Sequence, residues 1–174
     1  LSSLVDAILV GPDGREVADE EPGEMAVRGP TVFSGYWNAP ETNAKDFRNG
    51  RFHMGDMFVR HRDGTFDFVD RAKYMIKSGG ENIYPAEIER VLLADPRIRD
   101  AVVVLRADPK WGEVPVAFVA RKSGDIDEAG IEALCRTALA GYKRPKAVYF
   151  IEYDDLPRST TGKILRHELE ARLK

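Results

Sequence analysis

The feature that most constrains the fold is a change of hydrophobic pattern within residues 70–89, which read Asp-Arg-Ala-Lys-Tyr-Met-Ile-Lys-Ser-Gly-Gly-Glu-Asn-Ile-Tyr-Pro-Ala-Glu-Ile-Glu. Before this stretch, short alternating segments are separated by Gly and Pro turns, as in antiparallel sheets. After it, helical and strand patterns succeed one another. We therefore predict a junction between two lobes, in which Gly79 and Gly80 allow backbone angles and close ligand approach that a side chain would prevent.

The first 70 residues predict a mostly antiparallel sheet. Gly11–Gly14 is a dense turn signal, and we expect the chain to pair back after it as a hairpin. The Asp63-Gly64 pair suits the positive backbone angles of a second hairpin turn. We expect strands at 4–10, 15–17, 23–29, 57–60 and 65–69, and a short helix at 42–47.

Residues 71–174 predict a small lobe of mixed helices and strands, either α+β or α/β. Pro85 suits the first position of a helix, and Ile131, Leu134, Cys135 and Ala138 follow the i, i+3, i+4, i+7 pattern of an amphipathic helix. We expect helices at 85–94, 127–140 and 164–173, and strands at 98–105, 114–120 and 147–151.

Composition limits the classes of partner. The 174 residues carry a net charge of −3, which gives no support to a nucleic-acid-binding surface. No apolar run reaches the length of about 20 residues that a transmembrane helix needs. The single cysteine, Cys135, fits a reducing compartment and the apolar face of a helix, so we expect a core thiol in a cytoplasmic protein. The chain begins at Leu1 without Met, which predicts a piece of a longer protein.

A lysine motif lies near the end of the chain, where residues 156–166 read Leu-Pro-Arg-Ser-Thr-Thr-Gly-Lys-Ile-Leu-Arg. A phosphate-binding P-loop needs an earlier Gly and a Ser or Thr after its Lys, and Pro157 and Ile164 occupy those positions. What remains is Lys163 at the start of a predicted helix, where its ammonium could reach a polyanion. A solvated lysine is the alternative.

An acidic motif precedes the junction in Phe52–Asp56. The carboxylate of Asp56 could accept two hydrogen bonds from a ribose diol, although a turn Asp explains the pattern equally well. We interpret His53 as structural and predict no metal site, because His61 and His167 are isolated from other potential ligands.

A basic and aromatic cluster follows the second predicted helix, at residues 142–146. It suits phosphate contacts with a stacked base, or a basic helix C-terminus that complements the helix dipole. Residues 111–113 lie in a predicted loop between two strands, where Trp111 is either an exposed stacking platform or part of the core.

Together these stretches resemble the adenylate-forming superfamily, and in particular its acyl-CoA synthetases. Residues 52–56 are similar to the family's ribose-binding motif, residues 70–89 to its hinge motif, and residues 157–166 to the motif of its catalytic lysine. The resemblance implies the β-rich end of a large lobe, part of a distorted antiparallel barrel, at residues 1–70, and a small α+β C-terminal lobe at 71–174. The hinge is expected at residues 70–73.

The resemblance implies a two-step reaction. A carboxylic acid attacks ATP to form an acyl-adenylate and pyrophosphate, and CoA then displaces AMP. Asp56 and Arg71 are expected to hold the AMP ribose, Lys73 to act as the pivot, and Lys163 to stabilise charge during adenylation. Mg²⁺ is expected with ATP, without identified ligands. The residues expected to contact CoA are Lys77, Ser78, Gly79, Gly80, Trp111, Tyr142 and Arg144.

The sequence departs from the family pattern both in single residues and in what it lacks. Asp70 stands where Gly is usual, Met54 where Thr is usual, and Tyr74 where an acidic residue is common. The family's phosphate loop and acid pocket are expected upstream, in a missing N-terminal lobe, so the isolated chain is expected to be inactive. The sequence does not identify the carboxylic acid substrate, although fatty acid metabolism is typical of the family. The alternatives are a stand-alone CoA- or nucleotide-binding module and another kind of adenylating enzyme.

Overall fold

The computed structural model describes residues 4–122 and 126–173. The chain divides into two compact units, Leu1–Lys73 and Tyr74–Lys174. The role of residues 70–73 as a hinge stays a prediction. Every helix within the described residues is too short or too polar to cross a membrane.

The first unit is a five-stranded antiparallel sheet, as the alternating pattern predicts. Strand β4 is central because it pairs with β2 along one edge and with β3 and β5 along the other. The elements are β1 (Asp6–Val10), β2 (Pro22–Arg28), α1 (Pro40–Asp46), β3 (Phe47–Arg48), β4 (Arg51–Arg60) and β5 (Phe66–Arg71).

The core of the first unit lies on one face of this sheet. Leu9, Met25 and Val27 are buried there, and Phe52 packs against them. Phe52 also makes an edge-to-face contact with Phe33, whose ring centroid lies 4.9 Å away. Aromatic side chains therefore pack on this face of the sheet next to β4, the strand that contains Asp56.

The hairpin predicted at 15–17 forms, although these residues do not make a strand of their own. The Gly14 amide donates to the Gly11 carbonyl in the turn, the Gly11 amide donates to the Arg15 carbonyl, and the Val17 amide donates to the Leu9 carbonyl. Glu16 thus lies opposite Val10 in an isolated antiparallel bridge, and β1 also pairs over its full length with β2.

The second unit is a five-stranded mixed sheet with helices packed on it. Its elements are β6 (Ile76–Ser78), β7 (Glu81–Ile83), α2 (Pro85–Leu93), β8 (Ile98–Asp108), β9 (Gly112–Arg121), α3 (Glu128–Ala138), β10 (Val148–Phe150) and α4 (Arg166–Ala171). Only β10 pairs in parallel, with β9, among the strands of the described residues. Short 3₁₀ turns lie at Ala72–Tyr74, Gly141–Lys143 and Tyr153–Asp155.

The hairpin of β8 and β9 forms the centre of the second unit because both of its faces are covered. Ala101 and Val103 pack in the cluster that contains the buried residues of α2 and α3, whereas Val102 and Val104 pack in the cluster that contains Leu169 of α4. Burial on both faces explains why these strands read as nearly continuous apolar runs.

Local signals account for two of the helix starts. Pro85 occupies the first turn of α2, where its missing N–H is not needed. The Asp127 side chain accepts a hydrogen bond of 2.9 Å from the Gly130 amide and so caps α3. The last helix differs from its prediction, since α4 begins at Arg166 and not at Ile164.

Candidate active site

Asp56 lies on an irregularity in the first sheet. Ala26 of β2 pairs with His53 of β4, and Glu24 pairs with Met57, so Met25 alone faces residues 54–56. Gly55 adopts a positive φ of 71°, which a residue with a side chain rarely adopts. The extra residues form a bulge that takes Gly55 and Asp56 out of the ladder between β2 and β4. We call residues 54–56 the Asp56 bulge.

Glu24 holds the Asp56 bulge from the neighbouring strand. One carboxylate oxygen accepts a 3.1 Å hydrogen bond from the Gly55 amide. The other lies 3.0 Å from His53 Nδ1 and 2.9 Å from the Arg48 guanidinium. Sequence reasoning missed Glu24, because strand alternation predicts an outward-facing residue and gives no sign of a partner about thirty positions away. His53 is buried and hydrogen bonded, which agrees with the structural interpretation.

Asp56 and Arg71 are brought together by the pairing of β4 and β5. They are directly opposite in the ladder, and Arg71 Nε donates to Asp56 Oδ1 over 2.6 Å. The side chains are 19% and 41% exposed, so both remain accessible to a ligand. Asp70, which stands where the family usually has Gly, is buried and accepts the Arg71 amide over 2.6 Å. This bond fixes the backbone from which Arg71 extends.

A cavity of about 460 Å³ opens beside the Asp56 bulge. Its lining includes Gly55, Arg71 and Lys73, as well as Tyr36 and Lys45, but not Asp56 itself. Cationic and aromatic side chains in one cavity suit an anionic ligand with a planar ring. The three residues that sequence reasoning assigned to nucleotide binding and the hinge in this unit thus lie at or beside a single cavity.

The Gly79-Gly80 turn of the second unit joins β6 and β7 and packs against Trp111. The Gly79 amide donates to the Trp111 carbonyl over 2.9 Å, and Gly79 has a positive φ of 58°. A Cβ atom at Gly79 would lie 2.7 Å from Trp111 Cε3, which is too close for any real contact. Both the backbone angle and the indole ring therefore favour glycine at this position.

Trp111 is partly exposed, and its backbone is held by Asp108. The Asp108 carboxylate accepts the Trp111 and Lys110 amides, each over 2.9 Å, and these bonds lower the pKa of Asp108 below its ordinary value. The prediction that residues 111–113 form a loop is only partly right, because Gly112 and Glu113 begin β9. On the same hairpin as Gly79, Lys77 is exposed and Ser78 is buried.

Tyr142 and Arg144 belong to a separate segment that follows α3. Tyr142 is 41% exposed. The Arg144 guanidinium donates to the carbonyls of Leu139 and Arg136, over 3.1 and 3.3 Å, and so binds the C-terminal end of α3. These bonds agree with the alternative interpretation of the sequence, in which basic residues complement the dipole at a helix C-terminus. A contact between Arg144 and CoA stays a prediction.

Lys163 lies at the end of a tight turn, residues 159–163, which we call the lysine loop. The Ser159 amide donates to the Lys163 carbonyl over 2.8 Å, and the Lys163 amide donates to Ser159 Oγ over 3.2 Å. Gly162 provides the positive φ of 80° that the turn needs. Lys163 therefore lies in a loop, as its Pro, Ser, Thr and Gly neighbours predict. The helix predicted from Ile164 begins two residues later, because the Leu165 amide donates to the Pro157 carbonyl and so keeps Leu165 outside α4.

The Lys163 side chain is exposed, and no hydrogen bond or ion pair within residues 4–122 and 126–173 involves its ammonium group. An exposed cation on a short ordered turn can bind an anion without first breaking an internal ion pair. In the same described ranges, no group of three or more His, Cys, Asp or Glu residues is placed to hold a metal ion.

Comparison with known proteins identifies a family to which part of this chain is similar. Residues 87–163 match the family described as the AMP-binding enzyme C-terminal domain. This part of the chain is similar to that domain. The match ends at Lys163, and the resemblance to the adenylate-forming superfamily that the motifs carry is confirmed.

The similarity to three relatives extends beyond residues 87–163 to nearly the whole chain. A feruloyl-CoA synthase of Amycolatopsis sp is 47% identical over 172 residues, which are 98% of this chain and 35% of that relative. The o-succinylbenzoate CoA synthetase of Bacillus subtilis, solved with its acyl-adenylate intermediate, is 35% identical with a TM-score of 0.89, over 97% of this chain and 34% of that one. The amide bond synthetase of Marinactinospora thermotolerans is 29% identical with a TM-score of 0.90, over 99% and 35%. The chain therefore spans about a third of the length of these relatives.

Proposed function

We propose that this chain is the C-terminal portion of an ATP-dependent acid–CoA ligase, which forms an acyl-adenylate and then an acyl-CoA thioester. The observation that carries the proposal is the exposed Lys163 ammonium on an ordered turn at the end of the matched domain. The relatives that match nearly the whole chain and are named as a CoA synthase and a CoA synthetase support it.

In the first step of the proposed reaction, a carboxylate oxygen attacks the α-phosphorus of ATP, and pyrophosphate leaves. Asp56 accepts hydrogen bonds from the ribose hydroxyls, and Arg71 orients Asp56 through their 2.6 Å bond. Lys163 stabilises the negative charge that builds up on the carboxylate and phosphate oxygens. The described residues supply no Mg²⁺ ligand set, so no step is assigned to that ion.

In the second step, the CoA thiolate attacks the acyl carbon, and AMP leaves. We propose that the small lobe turns about Lys73 between the steps, so that Lys163 withdraws and the Gly79-Gly80 turn approaches. The Gly79–Trp111 contact supports a channel wall, because glycine leaves no side chain between the turn and the partly exposed indole ring. Lys77, Ser78, Tyr142 and Arg144 remain proposed CoA contacts.

The acid is proposed to be aromatic. The names of the feruloyl-CoA and o-succinylbenzoate relatives both denote aromatic acids, whereas fatty acid metabolism has no support among the relatives reported above. We also propose a cytoplasmic location, which the single buried Cys135 fits. The remaining partner is the upstream lobe, which would supply the phosphate loop and the acid pocket.

A second acceptor chemistry fits one observation equally well. The amide bond synthetase has a TM-score of 0.90, close to the 0.89 of the CoA synthetase, so backbone similarity does not distinguish an amine from a thiol acceptor. Supplying purified acyl-adenylate with CoA and with an amine, separately and in competition, distinguishes the two. Preferential thioester formation supports the ligase, and preferential amide formation contradicts it.

The role of Lys163 is tested by the variant Lys163→Ala in the full-length protein. Adenylation, followed as pyrophosphate release, should fall by about 100-fold or more, because one charge-stabilising group is lost. Thioester formation from supplied acyl-adenylate should be retained. Lys122→Ala, which removes another exposed lysine of the same unit, is the matched control. Equal loss in both half-reactions would contradict the assigned role.

A companion assay uses the isolated chain. Because the proposed phosphate loop and acid pocket lie outside it, turnover of acid, ATP and CoA should be negligible, while titration calorimetry with AMP and CoA measures any binding that remains. Robust thioester formation by the chain alone would contradict the proposal that the upstream lobe supplies the phosphate loop and the acid pocket. Specific binding of CoA without turnover by the full-length protein would instead favour a binding module.

A further inference from the structure

Both ends of the lysine loop are attached to strand β8. Before the loop, Arg158 Nη2 donates to Asp100 Oδ2 over 2.6 Å. After the loop, the Arg166 guanidinium donates to the Val103 carbonyl and forms an ion pair with Glu89 at 2.6 Å. These are charge-assisted bonds, which are shorter and stronger than bonds between neutral groups. The loop therefore has two separate arginine anchors, one on β8 and one shared between β8 and Glu89 of α2.

The anchor at Arg158 also reaches into the loop. Its Nη1 donates to the carbonyl of Gly162, the residue directly before Lys163, over 3.3 Å. The guanidinium lies 4.9 Å from the centre of the Tyr153 ring, so its plane is supported by an aromatic side chain. A planar guanidinium can hold two acceptors at fixed positions, which a lysine ammonium cannot do as well.

Resting on the proposed role of Lys163, we propose that Arg158 is a positioning residue, which sets the place of the Lys163 side chain by joining Asp100 to the Gly162 carbonyl. Arg158 is 30% exposed and Asp100 is 24% exposed, so the link is half-buried and not a surface pair. The exposed end of the lysine loop has no apolar side chain to bury. Its polar anchors therefore decide where Lys163 is presented.

Arg99 provides a matched control because it contacts the same ring. Its guanidinium lies 3.6 Å from the centre of Tyr153, closer than that of Arg158. No hydrogen bond among the described residues joins its side chain to the lysine loop. Arg99→Ala thus removes a neighbouring cation and a ring contact but leaves the Asp100–Arg158–Gly162 link in place.

The test compares Arg158→Ala, Asp100→Asn and the double variant in the full-length protein. Because a misplacement of about 1 Å can lower a rate about 100-fold, we expect each single variant to slow adenylation by about 10- to 100-fold. The double variant should be no slower than the worse single variant, since both break one link. Thioester formation from supplied acyl-adenylate should be unchanged, and Arg158→Lys should recover part of the adenylation rate.

Arg158 could instead touch ATP itself, and Asp100→Asn separates the two roles. In that case Asp100→Asn would leave adenylation near the starting rate, which would overturn the positioning role. An equal loss in both half-reactions, or an equal loss in Arg99→Ala, would overturn it as well, because either result indicates general destabilisation.

A measurement on the chain itself is independent of the proposed function. Deuterium exchange in residues 157–165 should become faster in Arg158→Ala than in Arg99→Ala, because the Gly162 and Lys163 amides lose an ordered turn. Unchanged exchange would overturn the inference. If exchange rises but Lys163→Ala has no effect on adenylation, the proposed function fails and the link between Arg158 and the loop stands.

Discussion

Asp56 and Lys163 are each presented by an irregular piece of backbone, but the two supports differ. The Asp56 bulge is held inside a sheet by Glu24, and the Asp56 carboxylate is already paired with Arg71. The lysine loop is held from outside by two arginines, whereas no partner of the Lys163 ammonium is found within the described residues. A group that binds a ligand in one fixed pose benefits when its partner already holds it in place. A group such as Lys163, which is proposed to approach the reacting atoms and then withdraw, benefits from a charge that has no internal partner to leave.

The largest expected effect concerns the more buried of the two arginine anchors. Arg166 and Glu89 are each 14% exposed, and Glu89 also accepts the Val103 amide over 2.7 Å. Arg166→Met should lower the free energy of unfolding by about 3 kcal/mol, because an unpaired buried carboxylate remains. Chemical denaturation of the chain measures this change.

Arg136→Met is the control for that experiment, since its pair with Glu132 is more than 60% exposed on both sides. It should change the free energy of unfolding by no more than about 0.5 kcal/mol. If both variants lose the same amount, the buried anchor contributes no more than a surface pair. The contrast between an externally anchored loop and an internally supported bulge would then lose its basis.

The next effect concerns the Asp56 bulge. Glu24→Ala leaves the Gly55 amide, His53 and Arg48 without their common acceptor, which should lower the free energy of unfolding by about 1 to 3 kcal/mol. AMP affinity should also fall, because Asp56 loses its fixed place. Glu16→Ala, at an exposed partner of Arg60, is the control. An unchanged AMP affinity, measured by calorimetry on the full-length protein, would show that Asp56 needs no support from Glu24.

A smaller effect is expected at Gly79. Gly79→Ala should lower the free energy of unfolding by about 1 to 2 kcal/mol, through its positive φ and the displacement of Trp111. Gly64→Ala has a similar φ of 83° with open space around it, so it reports the backbone part alone. Thioester formation should slow only in the Gly79 variant. Equal effects of both variants on stability and rate would show that the Trp111 contact is unimportant.

The smallest expected effect depends on pH. Asp67 and then Glu20 raise the pKa of His61 above its ordinary value. The charged form is therefore favoured in the folded state, so the stabilisation is complete below about pH 6.5 and is lost as pH rises through the higher folded pKa. His61→Gln should remove this pH dependence, as denaturation at pH 5.5 and 8.5 would show. Because His61 lies beyond the end of β4, AMP affinity should not change.

The sequence predicts the scaffold better than the irregular segments. The apolar runs at 98–105 and 114–120 identify the central hairpin, and Pro85 marks where α2 begins. These elements depend on local pattern and burial. The Asp56 bulge depends instead on the register of β2 against β4, which no local pattern encodes.

The lysine loop shows the same limit. Ile164 and Leu165 fit a helical pattern, but a hydrogen bond from Leu165 to the Pro157 carbonyl keeps them out of α4. Likewise, the composition of residues 142–146 could not show that Arg144 binds the end of α3. Motifs locate the candidate residues, whereas long-range hydrogen bonds decide how each one is held.

The attachment of the lysine loop to β8 also has a consequence for the order of folding. The hairpin of β8 and β9 joins neighbouring segments, and such local pairings form within microseconds. Arg158 lies 58 positions after Asp100, and Arg166 lies 77 positions after Glu89. During synthesis Asp100 and Glu89 emerge before Lys163, so we expect the lysine loop to take shape after the hairpin of β8 and β9.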